Sequence, residues 1–390
     1  MRNYKSVATC NLTLRALTFM VGPNGAGKSN VLDGLRFIAD ALRDSLDHAL
    51  RSRGGIKEVR RRSGGHPNHF ALQVHFGFPD GTSGLYGFQI GARPQGGYEV
   101  QQEFCNSVRG ADPSRTDRFR VERGIVVDSS IEVPPAASAD RLFLVNVSGY
   151  PEFRPLYSAL SRMGFFSLNP DRIRDLQPPD AGDLLARDGG NLASVLGKLA
   201  RENPTAKKRI EEYLSRVVPG IREVEPRSVG PKETLEFRQD VAGARDPWRF
   251  FAANMSDGTL RTLGVLVALF QSSDGGEDRV RLVGVEEPEI ALHPASAAVL
   301  RDGLRDASRS TQVLVTSHSP DLLDDEDIEA DSILAVVSEH GATRIGRLNE
   351  VGRSVLHDRL YTVGELLRMN QLDPEVAEQE FDLSAPHPVE

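Results

Sequence analysis

The chain has 390 residues, of which 39% are hydrophobic and 26% are charged, and its formal net charge at pH 7 is -8. This balance is that of a globular protein, and the excess of acid argues against a surface coated by nucleic acid, although it leaves room for a local basic patch. The two cysteines, Cys10 and Cys105, lie in unrelated segments, and no apolar run approaches the roughly 20 residues of a membrane span, so we expect a cytoplasmic protein without a disulfide framework or a membrane segment.

The first predicted unit is a strand, a glycine-rich turn and a helix. Ala16 to Val21 is a short apolar run, and the hydrophobic residues from Val31 to Leu42 follow helical spacing. Between them, GPNGAGKSN fits the phosphate-binding pattern G-x-x-x-x-G-K-[ST], whose backbone N–H groups, lysine and serine hydroxyl bind phosphates and Mg²⁺. We therefore predict an ATP site, with Lys28 catalytic and Ser29 a metal ligand, made of nine consecutive residues: Gly22, Pro23, Asn24, Gly25, Ala26, Gly27, Lys28, Ser29 and Asn30.

A basic, glycine-containing loop is predicted from Arg51 to Gly65. Its run of Arg60, Arg61 and Arg62 is the best candidate for a DNA contact. The competing interpretation is a solvated loop or one that serves a protein partner. The other basic residues of this loop are Arg51, Arg53 and Lys57.

The rest of the chain changes between strand and helix patterns. Period-two alternation from Phe70 to about Glu132 predicts an antiparallel meander, and apolar stripes from about Asp180 to Val217 predict helix. A short strand pair is expected near 235–237. Strands at 280–285, 312–316 and 333–337 then alternate with helices from Ser256 and Pro294, which implies a mainly parallel sheet covered on both faces. The stretch from Pro374 to Glu390 is expected to be a frayed acidic tail.

Two of these strands end in side chains suited to phosphate chemistry. The first runs into the carboxylates of LVGVEEPE (282–289), and we predict that Glu286 holds Mg²⁺ and Glu287 is the general base. We place this strand beside the strand of the phosphate loop. The next strand ends in TSHSP (316–320), where His318 is predicted to contact a γ-phosphate. A solvated acidic turn and a structural histidine are the competing interpretations.

The sequence MSDGT (255–259) opens a helix with an apolar stripe. Ser256 is a good N-cap, and a helix N-terminus with small residues is an anion site. Taken alone, this pattern is more often explained by an ordinary capped helix.

The order of these motifs resembles the ABC-type ATPase head of the free-standing group near RecF, the SMC proteins and the OLD-type nucleases, without the Toprim nuclease of the OLD proteins. The resemblance implies an α/β fold of the P-loop NTPase, ABC-ATPase head type, with a mainly parallel sheet, an antiparallel β subdomain and a helical insertion. It also implies that ATP is held between two protomers. Ser256, Asp257 and Gly258 would then act in trans on the partner's nucleotide, and 291–294 would form the D-loop.

The sequence departs from the pattern of this group at three places. The Mg²⁺ position holds Glu286 where the group has Asp, and the first edge strand is expected to be short. At the position of the Q-loop glutamine, FFSLNPDRIR (165–174) offers Asn169 and Asp171.

We expect three regions along the chain. Residues 1–165 form a nucleotide-binding lobe with the antiparallel subdomain, residues 166–270 form a helical lobe with the signature motif, and residues 271–390 complete the core and form the tail.

The predicted function is that of an ATP- and Mg²⁺-dependent dimer switch in DNA maintenance or anti-phage defence. Its candidate partners are a second copy, DNA and a nuclease or other effector protein. The alternative is the ATPase subunit of a membrane transporter. Such subunits usually have a glycine-rich signature and a glutamine loop, and MSDGT and FFSLNP fit these two features poorly. A non-hydrolysing scaffold is disfavoured because Lys28, Ser29, Glu286 and Glu287 are all present.

Overall fold

A computed structural model of the chain describes residues 1–62, 67–110, 116–272 and 279–375. Residues 63–65 of the predicted basic loop and 376–390 of the predicted tail lie outside the described residues. The strands are β1 (Arg2–Tyr4), β2 (Val7–Thr9), β3 (Leu17–Val21), β4 (His69–Gly77), β5 (Ser83–Ala92), β6 (Tyr98–Val108), β7 (Thr116–Glu122), β8 (Ile125–Ser129), β9 (Gly164–Phe166), β10 (Ile221–Val229), β11 (Lys232–Gln239), β12 (Trp248–Phe251), β13 (Leu282–Glu286), β14 (Gln312–Ser317), β15 (Ile333–Glu339) and β16 (Ala342–Arg347).

The α-helices surround these strands and connect them. They are α1 (Lys28–Arg43), α2 (Leu46–Arg51), α3 (Ile56–Val59), α4 (Phe143–Asn146), α5 (Arg154–Ser161), α6 (Pro170–Arg174), α7 (Leu192–Glu202), α8 (Pro204–Val217), α9 (Asp257–Phe270), α10 (Pro294–Ala307), α11 (Pro320–Leu323), α12 (Glu350–His357) and α13 (Val363–Arg368). None of the helices in the described ranges is long and apolar enough to cross a membrane.

One large sheet of the described residues joins a parallel half to an antiparallel half. Its strand order is β8-β7-β6-β5-β4-β1-β2-β16-β15-β3-β14-β13-β9. The five strands from β15 to β9 pair in parallel, whereas β4 to β8 form the predicted antiparallel meander. The α/β class, the mainly parallel core and the antiparallel subdomain are therefore confirmed.

Alternation along β3 shows that the parallel half is covered on both faces. Phe19 and Val21 belong to the hydrophobic cluster that contains residues of α7, α8, α9 and α10, whereas Met20 belongs to the cluster that contains residues of α1 and β4. Because side chains alternate along a strand, these residues point to opposite faces of the sheet. A continuous apolar run is what a strand buried on both faces requires.

The predicted order of the strands at the site was wrong in one respect. We placed the strand of Glu286 beside the strand of the phosphate loop, but β14 lies between them. Val313 of β14 pairs with Leu17 of β3 on one side and with Val283 of β13 on the other. The strand that ends next to His318 is therefore the direct neighbour of β3.

The helical stripe predicted from Asp180 begins later than expected. In the described chain, no helix covers 180–191, and α7 starts at Leu192. The Asn191 side chain holds this loop instead, because its amide donates to the Leu184 carbonyl and its oxygen accepts from Ala186 N–H. Leu185 is nevertheless buried, so its apolar character reflects packing and not helical periodicity. The expected strand pair near 235–237 is a separate three-stranded sheet, β10-β11-β12.

Candidate nucleotide-binding site

The glycine-rich loop leaves β3, which lies between β15 and β14 in the parallel half, and enters α1. A Cβ atom on Gly22 would lie 2.0 Å from the Val336 carbonyl oxygen, and one on Gly27 would lie 1.8 Å from Thr343 Oγ1. Gly27 also has a φ of +104°, in the left-handed region that favours glycine. The backbone can follow this tight path against β15 and β16 only because both positions lack a side chain.

The Lys28 side chain is folded into the loop and is nearly buried. Its Nζ donates to the carbonyl oxygens of Gly22 at 2.7 Å and Pro23 at 3.1 Å. Burial lowers the pKa of Lys28, and the carboxylates of Glu287 and Glu289 oppose that shift. The ammonium group thus lies within the electrostatic reach of the acidic cluster at the end of β13.

A chain of side-chain hydrogen bonds supports the loop. The Asn30 amide donates to Ser6 Oγ at 2.6 Å, Ser6 Oγ lies 2.6 Å from Thr343 Oγ1, and Thr343 Oγ1 donates to the Ala26 carbonyl at 3.0 Å. Asn30 was predicted as an ATP-binding residue. Its side chain here is engaged with Ser6, while Ser29, the preceding residue, is exposed.

The predicted base and the predicted histidine meet at the ends of β13 and β14. His318 Nδ1 lies 2.9 Å from Glu287 Oε1, and Glu287 N–H donates to the Thr316 carbonyl at 2.9 Å. Glu287 has a φ of +43°, a conformation that costs energy for a residue with a side chain and that is found where a side chain must be aimed. The pair matches the geometry of a general base held by a second group.

A further carboxylate, Glu289, was not predicted as a site residue. It is 8% exposed, its Oε1 accepts a hydrogen bond from Ser317 at 2.6 Å, and its Oε2 has no hydrogen-bond partner among the described residues. Burial raises its pKa, and the Ser317 hydrogen bond opposes this. The sequence places Glu289 in the carboxylate cluster that follows the predicted strand, but no local pattern indicates that Ser317 is its partner.

Glu286 is paired with an arginine that sequence reasoning missed. Arg187 Nη2 lies 2.8 Å from Glu286 Oε1. Asn169 and Asp171, the two candidates at the Q-loop position, make other contacts. The Asn169 side chain caps α6 by accepting from Asp171 N–H, and the Asp171 carboxylate pairs with Arg174. Neither is seen on the Glu286 carboxylate.

The signature sequence forms a helix start, as predicted. Ser256 is the N-cap of α9, and its side chain accepts from Thr259 N–H at 3.3 Å. Ser256 and Asp257 are exposed, and Arg174 binds Asp257 and the carbonyl of Met255. A Cβ atom on Gly258 would lie 2.5 Å from the Ala291 carbonyl oxygen, so the signature helix and the predicted D-loop pack together within one chain.

The two residues predicted to bind magnesium have the chemistry that this ion requires. The Ser29 hydroxyl and the Glu286 carboxylate are hard oxygen donors, and the cation that Glu286 contacts in this structure is a guanidinium group. Within the described ranges, no group of three His, Cys, Asp or Glu side chains could hold a metal by itself. A site with two protein oxygens relies on phosphates and water for its other ligands, as Mg²⁺ commonly does.

Much of the predicted basic patch is already engaged within the chain. Arg53 is almost buried, with its side chain 4% exposed, and pairs with Asp33 and Asp40, which corrects its placement among the basic residues of an open loop. Arg62 pairs with Glu58, and Arg60 donates to the Pro67 carbonyl at 2.7 Å. Arg61 is half-buried. A DNA contact at Arg60, Arg61 and Arg62 stays a prediction.

Most of the chain matches the sequence pattern of one protein family. Residues 17–324 match the protein family described as "AAA domain, putative AbiEii toxin, Type IV TA system". No match was found among curated proteins.

Two solved structures share the architecture. An SMC head bound to the C-winged helix domain of ScpA has a TM-score of 0.54 and 12% identity, with 90% of this chain and 97% of that chain covered. An SMC head domain with an extended coiled coil, bound to the C-terminal domain of ScpA and derived from Pyrococcus furiosus, has a TM-score of 0.53 and 11% identity, with 92% and 97% covered. The likeness in fold to SMC heads that the motifs predicted is therefore confirmed.

Proposed function

Because the chain belongs to the AAA-domain family whose description names a type IV toxin–antitoxin system, we propose that it is an ATP-hydrolysing switch in which ATP joins two copies and hydrolysis separates them. The observation that carries this proposal is the convergence of three elements at one edge of the parallel sheet. They are the loop around Lys28, the Glu287–His318 pair and the carboxylate of Glu286.

Within one protomer, the site divides the work among its own residues. The loop N–H groups and Lys28 bind the triphosphate, and Ser29 and Glu286 hold Mg²⁺, which neutralises phosphate charge when bound. Glu287 accepts a proton from the attacking water. His318, 2.9 Å from Glu287, keeps this carboxylate in place, and its other ring nitrogen is the proposed donor to the γ-phosphate.

The second protomer completes the site in the proposed dimer. Ser256, Asp257 and Gly258 lie at the N-terminus of α9, a helix of 14 residues, and the side chains of Ser256 and Asp257 are exposed. A helix N-terminus with exposed small residues binds anions through unpaired N–H groups. A γ-phosphate held on the partner's Lys28 loop is the ligand proposed here for this helix end.

The proposed biological role is control of a partner effector or of DNA engagement in defence or genome maintenance. The family description names a toxin of a toxin–antitoxin system, which favours the defence branch. Both solved SMC heads are bound to a second protein, ScpA, which supports a protein partner here too. The fold and the family do not favour the alternative of a transporter subunit.

The decisive experiment compares the wild type with Glu287→Gln by light scattering. Without its base, the variant should bind Mg·ATP yet hydrolyse it about 100- to 10,000-fold more slowly, and an ATP-bound dimer should accumulate. Ser256→Arg tests the trans contact, because it should bind ATP but stay monomeric. Glu326→Gln, on an exposed loop, is the control and should behave as the wild type. Only monomers of Glu287→Gln at saturating Mg·ATP would rule out the switch.

A further inference from the structure

Among the described residues, Arg187 forms an ion pair with Glu286, the predicted metal ligand. We propose that Arg187 is a positioning residue for Glu286, a cation supplied by the chain itself that occupies this carboxylate and that Mg²⁺ displaces when the nucleotide is loaded. The proposal rests on the function proposed above, because it presupposes that Glu286 receives the metal of Mg·ATP.

The sheet delivers Arg187 to this position. Val285 of β13 pairs with Phe166 of β9, so the residues that follow, Glu286 and Ser167, leave the same edge side by side. Ser167 N–H then donates to the Arg187 carbonyl at 3.0 Å. The backbone of Arg187 is thus hydrogen-bonded to Ser167, which lies beside Glu286. This contact brings the Arg187 guanidinium within reach of the Glu286 carboxylate.

Hydrogen bonds and packing hold the loop that carries Arg187. Asn169 N–H donates to the Asp188 carbonyl at 3.1 Å, and Asp188 Oδ1 accepts from Gly190 N–H at 3.0 Å. Gly189 has a φ of +82°, and a Cβ atom there would lie 2.7 Å from the Ile173 side chain. These contacts fix the backbone of the loop, so only side chains are left to be ordered when Arg187 pairs with Glu286.

Exposure shows that the pair can be opened. The Arg187 side chain is 46% exposed and that of Glu286 is 22% exposed, so the guanidinium can move into water without leaving a buried charge behind. A second arginine, Arg36 of α1, lies near enough to act on Arg187, because burial and then the Arg187 charge lower the pKa of Arg36. Arg36 also pairs with Asp33 and Asp40, so only the part of its charge that these carboxylates leave uncompensated favours release of Arg187.

The experiment measures ATP affinity by calorimetry, in EDTA and in excess Mg²⁺, for the wild type and Arg187→Ala. Removing the competing cation should strengthen Mg·ATP binding, and leaving Glu286 unneutralised should weaken metal-free ATP binding through charge repulsion. An exposed ion pair contributes at most about 1 kcal/mol, which is about fivefold in affinity. Each of these two effects should therefore change the ratio of the two dissociation constants by up to about fivefold, and both act in the same direction on that ratio.

Three variants make the result specific. Arg172→Ala removes another exposed arginine of the same segment, paired with Asp188, and should leave the ratio unchanged. Arg187→Lys keeps the charge without the planar fork and should give an intermediate ratio. In a Glu286→Gln background, Arg187→Ala should have no further effect, because the acceptor charge is already gone.

The possible outcomes separate the two proposals. Wild type that binds Mg·ATP, with an Arg187→Ala ratio equal to that of the wild type, would overturn the role of Arg187 and leave the switch intact. An Arg187→Ala effect that persists in the Glu286→Gln background would also overturn it, since the arginine would then act elsewhere. Wild type that binds no ATP with or without Mg²⁺ would overturn both proposals.

Discussion

Two buried carboxylates, one in each half of the large sheet, have opposite hydrogen-bonding environments. Glu103 of β6 is fully buried, and its oxygens accept from the Tyr86 hydroxyl at 3.0 Å, from Leu144 N–H at 2.9 Å and from Phe143 N–H. Glu289, beyond β13, has Ser317 on one oxygen and no partner among the described residues on the other. Both oxygens of Glu103 are therefore hydrogen-bonded within the fold, whereas Glu289 keeps one oxygen available to accept a hydrogen bond beside the predicted nucleotide site.

Strand direction explains why the two halves differ. Parallel strands bring their carboxyl ends to the same edge, so the segments after β3, β13 and β14 meet there. Antiparallel strands send successive ends to opposite edges, so the meander gathers no comparable set of side chains. At this edge Glu287 has a φ of +43°, and we attribute that strain to its proposed role in aiming the carboxylate.

The largest expected effect lies in the site half. Lys28→Ala removes a cation placed for the phosphates, and ATP hydrolysis should fall about 100- to 1,000-fold, since such groups stabilise charge in the transition state. The measurement is phosphate release at saturating Mg·ATP. Lys198→Ala removes a half-buried lysine paired with Asp183; it is the control and should keep the turnover of the wild type. Unchanged turnover in Lys28→Ala would instead support the alternative that the protein is a non-hydrolysing scaffold.

The next effect lies in the antiparallel half and concerns stability. Burial raises the pKa of Glu103 from 4.5 to about 7, against the three hydrogen bonds that oppose the shift. Because the folded protein then holds this proton more tightly than the unfolded chain, the contribution to stability is complete below pH 4.5 and is lost as pH rises through 7. The full loss corresponds to about 3 kcal/mol.

Glu103→Gln tests this pH dependence, because glutamine does not titrate. The decrease in the free energy of unfolding between about pH 5 and pH 8 should be smaller in the variant than in the wild type, as measured by urea denaturation. Glu122→Gln, an exposed residue of β7, should keep the decrease of the wild type. Equal pH profiles for wild type and Glu103→Gln would show that this carboxyl group does not bind its proton more tightly in the folded state.

The smallest expected effect comes from two glycines with similar backbone angles. Gly27 has a φ of +104° and Gly96 a φ of +94°, but a Cβ atom at Gly27 would meet Thr343 Oγ1 at 1.8 Å, whereas one at Gly96 meets nothing within 4 Å. Gly96→Ala should cost about 1–2 kcal/mol of stability and leave ATP binding unchanged. Gly27→Ala should also weaken ATP binding at least about tenfold, because the loop must move. Similar ATP affinities in both variants would contradict the packing argument.

Local patterns were enough to predict the elements that depend on neighbouring residues. The glycine-rich loop between β3 and α1, the N-cap at Ser256 and the alternation of the meander all appear where the sequence predicted them. Each follows from a short-range rule, namely phosphate-loop spacing, capping by a short polar side chain, or the two-residue period of a strand. The roles of the site residues in catalysis stay predictions.

Partners that are distant in the sequence could not be predicted in this way. The sequences of β13 and β14 do not indicate which of the two strands pairs with β3, since both are short apolar runs buried on both faces. The same holds for Arg187 on Glu286 and Ser317 on Glu289, which lie 99 and 28 residues apart.

The sequence alone therefore determined the fold class, the phosphate loop and the acidic and histidine-bearing strand ends. Only the tertiary structure decided that β14 lies between β3 and β13 and that a loop arginine occupies Glu286. The physical reason is that spacing along the chain encodes local conformation, whereas pairing between strands is selected by the packing of the whole sheet. Charges that meet across that sheet are positioned by its register, which no segment specifies by itself.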